Sequence, residues 1–138
     1  MISAEFVVER DDFLMDIKLE IPSTGATVLF GPSGSGKTTF INVLSGIVKP
    51  LHGLIKVGNA IFFDSENKIN LPMEKRGIGY VFQDGRLFPH MSVEENLDFG
   101  RKRSNDKTSR KQEIIELLGL GQLLQRKPST LSGGERQR

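Results

Sequence analysis

From Phe13 to Ile21 the apolar residues Phe13, Met15, Ile17, Leu19 and Ile21 alternate with mostly polar ones. A period of two is the signature of a strand with one buried face. Phe6-Val7-Val8 predicts a short strand ahead of it, and Pro22-Ser23-Thr24-Gly25 predicts a turn behind it. The run Ala26 to Phe30 is apolar without alternation, which predicts a strand buried on both faces. Thr39 to Gly46 predicts a helix, with Gly46 as its C-terminal cap and Pro50 blocking continuation. Leu54–Val57 and Ala60–Phe63 flank Gly58-Asn59 and predict a hairpin. Asp64 to Arg76 is polar, broken by Pro72 and reads as a loop, after which Ile78–Phe82 predicts a second buried strand ending in Gln83-Asp84-Gly85. Ser92 with Glu95 three residues on is a capping box at the start of a short helix. Arg101 to Arg110 reads as a charged, solvated stretch. A further helix is predicted from about Ser109 to Leu118, with Ile114, Ile115, Leu117 and Leu118 as its apolar stripe, and Leu123 and Leu124 read as packing residues. Hairpins beside apolar non-alternating strands predict an antiparallel sheet joined to a parallel α/β core.

Composition narrows the class without naming a function. The chain has 138 residues, 37% apolar and 26% charged, which suits one globular domain with a hydrophobic core. A net charge of +2 gives no global field for nucleic acid or an anionic membrane. The absence of cysteine excludes disulfides and thiol catalysis. No run approaches the apolar length of a membrane span. Met1-Ile2-Ser3-Ala4-Glu5 has neither a basic start nor an apolar block, so no signal peptide is expected.

Chemistry enters between the first buried run and the first helix. Gly31-Pro32-Ser33-Gly34-Ser35-Gly36-Lys37-Thr38 reads G-x-x-x-x-G-K-T, a phosphate-binding loop. Glycines let successive backbone N–H groups approach phosphate oxygens, and the positive end of the following helix adds to the field. Lys37 reaches terminal phosphates, the Thr38 hydroxyl can ligate Mg²⁺, and Thr39 continues the loop into the helix. Nucleoside triphosphate binding is the expected activity of this segment.

Leu131-Ser132-Gly133-Gly134-Glu135-Arg136-Gln137-Arg138 is the second cluster of interest. Ser132 and Glu135 have capping-box spacing, and the glycines expose N–H groups at a helix start. By itself this segment is either a glycine-containing cap or a second anion site.

Together these segments resemble the ATP-binding-cassette family. LSGGE followed by Arg-Gln-Arg is similar to that family's signature motif, the phosphate loop matches, and Gln83 falls where the family has its Q-loop glutamine. Pro72 through Asn96 resembles the Q-loop and helical-subdomain entry of importer ATPases. Within the family the wording is most similar to ATP-binding subunits of molybdate importers, with sulfate, polyamine and iron importers behind. The resemblance implies an α/β fold, a P-loop NTPase (ABC ATPase) core with an antiparallel β-subdomain and a helical subdomain. It divides the chain into a nucleotide-binding β and P-loop part at about residues 1–83 and a helical subdomain at about 84–138.

The resemblance also implies roles. Lys37 and Gln83 are the catalytic candidates, and Thr38 and Gln83 the Mg²⁺ ligands. Gly31 to Thr39, with Ser132, Gly133 and Gly134 of a second subunit docked head to tail, would enclose ATP. The implied partners are that second cassette and membrane-embedded permease subunits, with no direct nucleic-acid contact. The implied location is cytoplasmic, on the inner face of the membrane through the permease. The segment Gln83 to Met91 would meet a permease coupling helix through Phe88, which could instead pack under the helix starting at Ser92. The family sets an aromatic residue against adenine; the nearest here is Phe13, whose alternation also fits core packing.

The chain as given ends at Arg138, inside the signature helix, C-terminally truncated relative to the family pattern. The Walker B carboxylates and the switch histidine come later in that pattern, and His52 and His90, both read as loop residues, precede the signature. The expectation is therefore that these residues alone bind nucleotide weakly and do not turn it over. Two rival readings remain at this point: a non-enzymatic nucleotide-binding fragment, and a soluble ABC-type ATPase acting on nucleic acid or ribosomes. The chain shows neither the heptad run nor the basic stripe expected of the latter.

Overall fold

The computed structural model describes residues 1–10, 13–103 and 110–138. Of the stretch Arg101–Arg110 expected to be a solvated loop, residues 104–109 and the side chains of Arg101-Lys102-Arg103 lie outside what is described, while the backbone of 101–103 is helical. The chain forms two compact units, Met1–Tyr80 and Val81–Arg138.

The first unit is built on a five-stranded sheet in the order β2-β1-β3-β4-β5. Its strands are β1 (Ile2–Arg10), β2 (Phe13–Ile21), β3 (His52–Val57), β4 (Ala60–Asp64) and β5 (Ile69–Asn70), and every pairing is antiparallel. β2 takes the predicted span, and β1 extends well past the predicted Phe6–Val8. His52 opens β3 instead of sitting in a loop. The hairpin forms as read: Val57 pairs with Ala60 across Gly58-Asn59, with Gly58 at φ 57°. A glycine in the left-handed region at the first turn position is the pattern of a type II′ turn, whose twist matches the strands.

Register decides which face is buried. Ala4, Phe6, Val8, Met15, Ile55 and Phe63 lie on one face and form the core with Phe40 and Val43 of helix α1 (Lys37–Ser45). Phe6 and Phe40 stack with ring centroids 6.0 Å apart. The same face thus anchors the helix that the phosphate loop leads into. Phe13 departs from the alternation: it is 39% exposed, and burial begins at Met15. Helix α1 ends as predicted, with Gly46 at φ 89° and the Ile47 N–H returning to Asn42 O at 2.9 Å.

The stretch from Asp64 to Arg76 is not simply loop. It contains β5 and a 3₁₀ turn at Met73–Lys75. Asp64 organises the turn before β5 by accepting from the N–H of Glu66 and Asn67 and from Asn67 Nδ2. The Asn67 side-chain and backbone bonds hold its carboxyl below the usual carboxylate range.

Two predicted strands are absent. Residues 26–30 and 78–82 adopt no strand, and Phe30 and Val81 are almost wholly exposed. A strand buried on both faces exists only where neighbours take its N–H and C=O groups. Among the described residues no strand pairs with either run.

The second unit is helical: α2 (Val93–Arg103), α3 (Lys111–Leu117) and α4 (Gly133–Gln137). Val93, Ile115, Leu120, Leu123 and Leu131 form its core, with Leu118 and Leu124 partly buried against it. The predicted stripe on α3 is narrower than expected, because Ile114 is half-exposed and Leu117 is 80% exposed. Lys111 ties α3 to α2 through Glu94 at 3.2 Å and Asp98 at 3.0 Å. Among the described residues no helix is long and apolar enough to cross a membrane.

Candidate nucleotide site

The phosphate loop is shaped by its glycines and closed by its lysine. Gly34 and Gly36 have φ of 80° and 86°, a region that L side chains rarely enter. At Gly36 the requirement is doubled, since a Cβ there would collide with the Met15 methyl and come within 3.0 Å of Phe13 Cζ. Gly36 therefore lets the loop settle under the start of β2. Phe13 rests on the loop at this point with part of its ring exposed.

Lys37 is the first residue of α1, yet its ammonium turns back across the loop. Nζ donates to Pro32 O at 2.6 Å, Gly31 O at 2.9 Å and Ser35 Oγ at 3.3 Å. The cation is thus held over the loop by neutral oxygens, with no carboxylate among these partners. Helix α1 has no side-chain cap and no acidic residue in its first turn. Its leading N–H groups and positive end therefore meet no side chain of that turn that would neutralise them. Thr38 follows, exposed, and Thr39 is half-buried. A cleft of about 690 Å³ runs beside Lys37 and Thr38, walled by Thr27, Val28, Leu29, Ile41 and Leu44.

The other end of α1 is fixed by a residue that the sequence reading passed over. Arg76 is 5% exposed and donates from Nη1 to Val43 O (2.9 Å) and Leu44 O (2.7 Å), and from Nε to Leu71 O (2.8 Å). Its guanidinium lies 5.3 Å from the centroid of Phe62. The helix C-terminus, negative through its dipole, accepts this cation in place of a carboxylate. Burial pushes the guanidinium pKa down from its ordinary value. Tyr80 adds a second tie, Oη to Asn42 Oδ1 at 2.7 Å. No periodicity marks either residue.

In the second unit Gln83 is exposed in a bend rather than at the end of a strand. Ser132 starts α4 with a complete capping box. The Glu135 N–H donates to Ser132 Oγ at 3.3 Å, and the Ser132 N–H donates to Glu135 Oε2 at 2.7 Å. The bonds to Ser132 hold the Glu135 carboxyl below its ordinary range. Ser132 Oγ keeps its own proton to donate, and Gly133 and Gly134 are exposed. The predicted box at Ser92 and Glu95 also forms, at 2.7 and 3.2 Å. Phe88 packs on Phe99 of α2, ring centroids 4.4 Å apart, while remaining 38% exposed. The site residues thus fall in both units, Gly31–Thr39 in the first and Gln83 with Ser132–Gly134 in the second. Among the described residues no group of three or more His, Cys, Asp or Glu side chains could hold a metal by itself.

A family profile described as ABC transporter matches residues 14–138. The molybdenum import ATP-binding protein ModC of Aliivibrio fischeri is 46% identical over 138 residues, covering 100% of this chain and 37% of that protein. ModC of Brucella melitensis is 54% identical over 115 residues, 83% of this chain and 32% of that protein. Among solved structures, the ATP-binding cassette MJ0796, dimeric in a post-hydrolysis state with ADP and Pi, matches with a TM-score of 0.71 and 25% identity over 99% of this chain and 65% of its own. The chain thus spans about a third of the length of the two curated relatives, 37% and 32%.

Proposed function

We propose, from the premise that the chain belongs to the ABC transporter family, that it is the nucleotide-binding portion of an importer's ATP-binding subunit, and that the cargo is molybdate or a similar oxyanion. The observation that carries the reading is the phosphate loop with its inward Lys37, in a chain that shares 46% identity over its whole length with a molybdenum importer's ATP-binding protein.

The residues fit MgATP in the way their chemistry allows. Lys37 exchanges loop carbonyls for terminal phosphate oxygens, an ion–ion contact stronger than the ion–carbonyl one it replaces. Thr38 and Gln83 present single oxygens, which suits Mg²⁺, an ion that takes most of its shell from phosphates and water rather than from a protein cage. When bound, the ion supplies charge neutralisation at the phosphates. From a second subunit, Ser132 donates its hydroxyl and Gly133 and Gly134 their N–H groups to the far side of the triphosphate. Gln83 orients water or the metal, and Lys37 stabilises charge that develops on the phosphates. Permease subunits in the membrane are the remaining partners, which sets the protein on the cytoplasmic face.

The test is ATP-driven uptake of labelled molybdate by the intact subunit assembled with its membrane partners in liposomes, with sulfate as competitor. Uptake that molybdate saturates and sulfate barely inhibits is the expected result. Preference for sulfate would move the cargo assignment, and absence of ATP-dependent uptake would remove the importer reading.

A further inference from the structure

Helix α1 starts without a side-chain cap, so no capping side chain fixes the end that carries Lys37 and Thr38. Its other end is gripped by residues 76–80, all within the first unit. While Arg76 Nη1 takes the carbonyls of Val43 and Leu44, Nε takes Leu71 O at 2.8 Å and Nη2 takes Asn70 Oδ1 at 3.3 Å. Tyr80 Oη holds the side chain of Asn42 at 2.7 Å, one residue back along the same turn. Gly46 leaves room for the guanidinium, since a Cβ there would lie 2.8 Å from Arg76 Nε.

These bonds do more than end the helix. The Gly46 N–H already returns to Val43 O at 3.1 Å, and the N–H groups of Ile47 and Val48 return to Asn42 O at 2.9 and 3.1 Å. That is a helix stop made by backbone alone. What Arg76 adds is a fixed spacing, because its planar fork holds the helix carbonyls and the chain after β5 at once. The nine residues of α1 form a rod of about 13.5 Å. Phe40, near the middle of that rod, stacks on Phe6 of β1. A shift of the last turn about this contact therefore moves Lys37 and Thr38 by a comparable amount.

We propose that Arg76, seconded by Tyr80, is a positioning residue for triphosphate binding: it holds the last turn of α1 so that Lys37 and Thr38, at the opposite end, stand in register with the phosphates. This rests on the reading above that the glycine loop takes MgATP. It adds that the aim of the loop lysine is set from the far end of its helix. An end whose N–H donors stay available to a ligand cannot be anchored through those donors, so the anchor lies where the carbonyls are.

The experiment titrates MgATP and MgADP calorimetrically into the full-length subunit and into Arg76→Lys, Tyr80→Phe, Lys37→Ala and the double variant Arg76→Lys/Lys37→Ala. Arg76→Lys keeps the charge and loses the fork, so it reports geometry. A loss of stability alone lowers the apparent affinity for both nucleotides by one factor, the folded fraction. A misaimed Lys37 weakens ATP more than ADP, because the lysine serves the terminal phosphates. Arg76→Lys should weaken MgATP about threefold to tenfold, below the loss of about tenfold to a hundredfold expected of Lys37→Ala, with a smaller change for MgADP. Tyr80→Phe should shift the ATP-to-ADP ratio the same way by less. The double variant should bind ATP about as Lys37→Ala does, since the two residues act through one contact. If Arg76→Lys is unfolded at the assay temperature, Tyr80→Phe, which deletes a single hydroxyl, decides in its place. An unchanged ratio in the folded variants, or additive losses in the double variant, overturns the positioning role and leaves the nucleotide reading standing if Lys37→Ala is weakened. Unchanged MgATP affinity in Lys37→Ala removes the nucleotide reading and this proposal with it.

Discussion

Helix α1 begins on Gly36, with no side chain capping it and no acid in its first turn, whereas α4 begins on Ser132 inside a full capping box. Both starts are glycine-rich and both fall in motifs that read as anion sites. In α4 the Glu135 carboxylate already occupies the Ser132 N–H, and Ser132 Oγ already takes the Glu135 N–H. What remains for a ligand is the pair of glycine N–H groups and one hydroxyl proton. In α1 nothing internal competes, and Lys37 adds a full positive charge held only by neutral oxygens. An open helix start offers an anion more unspent donors than a closed one. The glycines of α4 therefore have less to offer a ligand than the start of α1.

The contrast extends along α1, which is open at its N-terminus and closed at its C-terminus by Arg76 and Gly46. Removing that closure should have the largest effect on stability. Arg76→Ala takes a donor from the carbonyls of Val43, Leu44 and Leu71; Val43 O keeps the Gly46 N–H, so Leu44 and Leu71 are left short, each unsatisfied buried group costing about 1–3 kcal/mol. Denaturant unfolding should show a loss of about 2 kcal/mol or more. A loss below about 1 kcal/mol would mean that water reaches the helix end and that the closure is not structural.

At α4 the effect should be smaller and dependent on pH. Ser132→Ala removes one half of the box and should cost about 1 kcal/mol of local helix stability, read as faster exchange at the Glu135 amide. Glu135 and Glu95 both have folded pKa values lowered from the ordinary 4.5 by bonds to their serines. Each therefore contributes stability that is fully present above the unfolded pKa and is lost as pH falls through the lower folded value. Acidification below about pH 4.5 should loosen α2 and α4 at their starts while α1 keeps its own. Equal loosening of all three would erase the distinction between open and closed starts.

What could be read from the sequence was local. The alternation in β2, the Gly58-Asn59 hairpin, the Gly46 cap and both capping boxes each depend on residues two to four apart, and all formed where they were read. The apolar runs at 26–30 and 78–82 signalled burial correctly as a preference, but a strand needs a neighbour, and pattern does not say where the neighbour comes from. Arg76 was illegible for a related reason: its partners lie as far as 33 residues away in the helix it closes. In the candidate site, the glycine loop and the place of Lys37 ahead of α1 could be read as a motif, while the fold of Lys37 back over the loop and the close seat of Gly36 under Phe13 and Met15 required the structure.

The central claim, that the open start of α1 with Lys37 is the primary triphosphate site, is tested most directly by calorimetric titration of MgATP into the chain and into Lys37→Ala, with melting temperatures as a folding check. The charge-assisted contact is worth about 1.5–3 kcal/mol, so affinity should fall about tenfold to a hundredfold while the melting temperature holds. An equally tight titration by a folded Lys37→Ala variant would contradict the account.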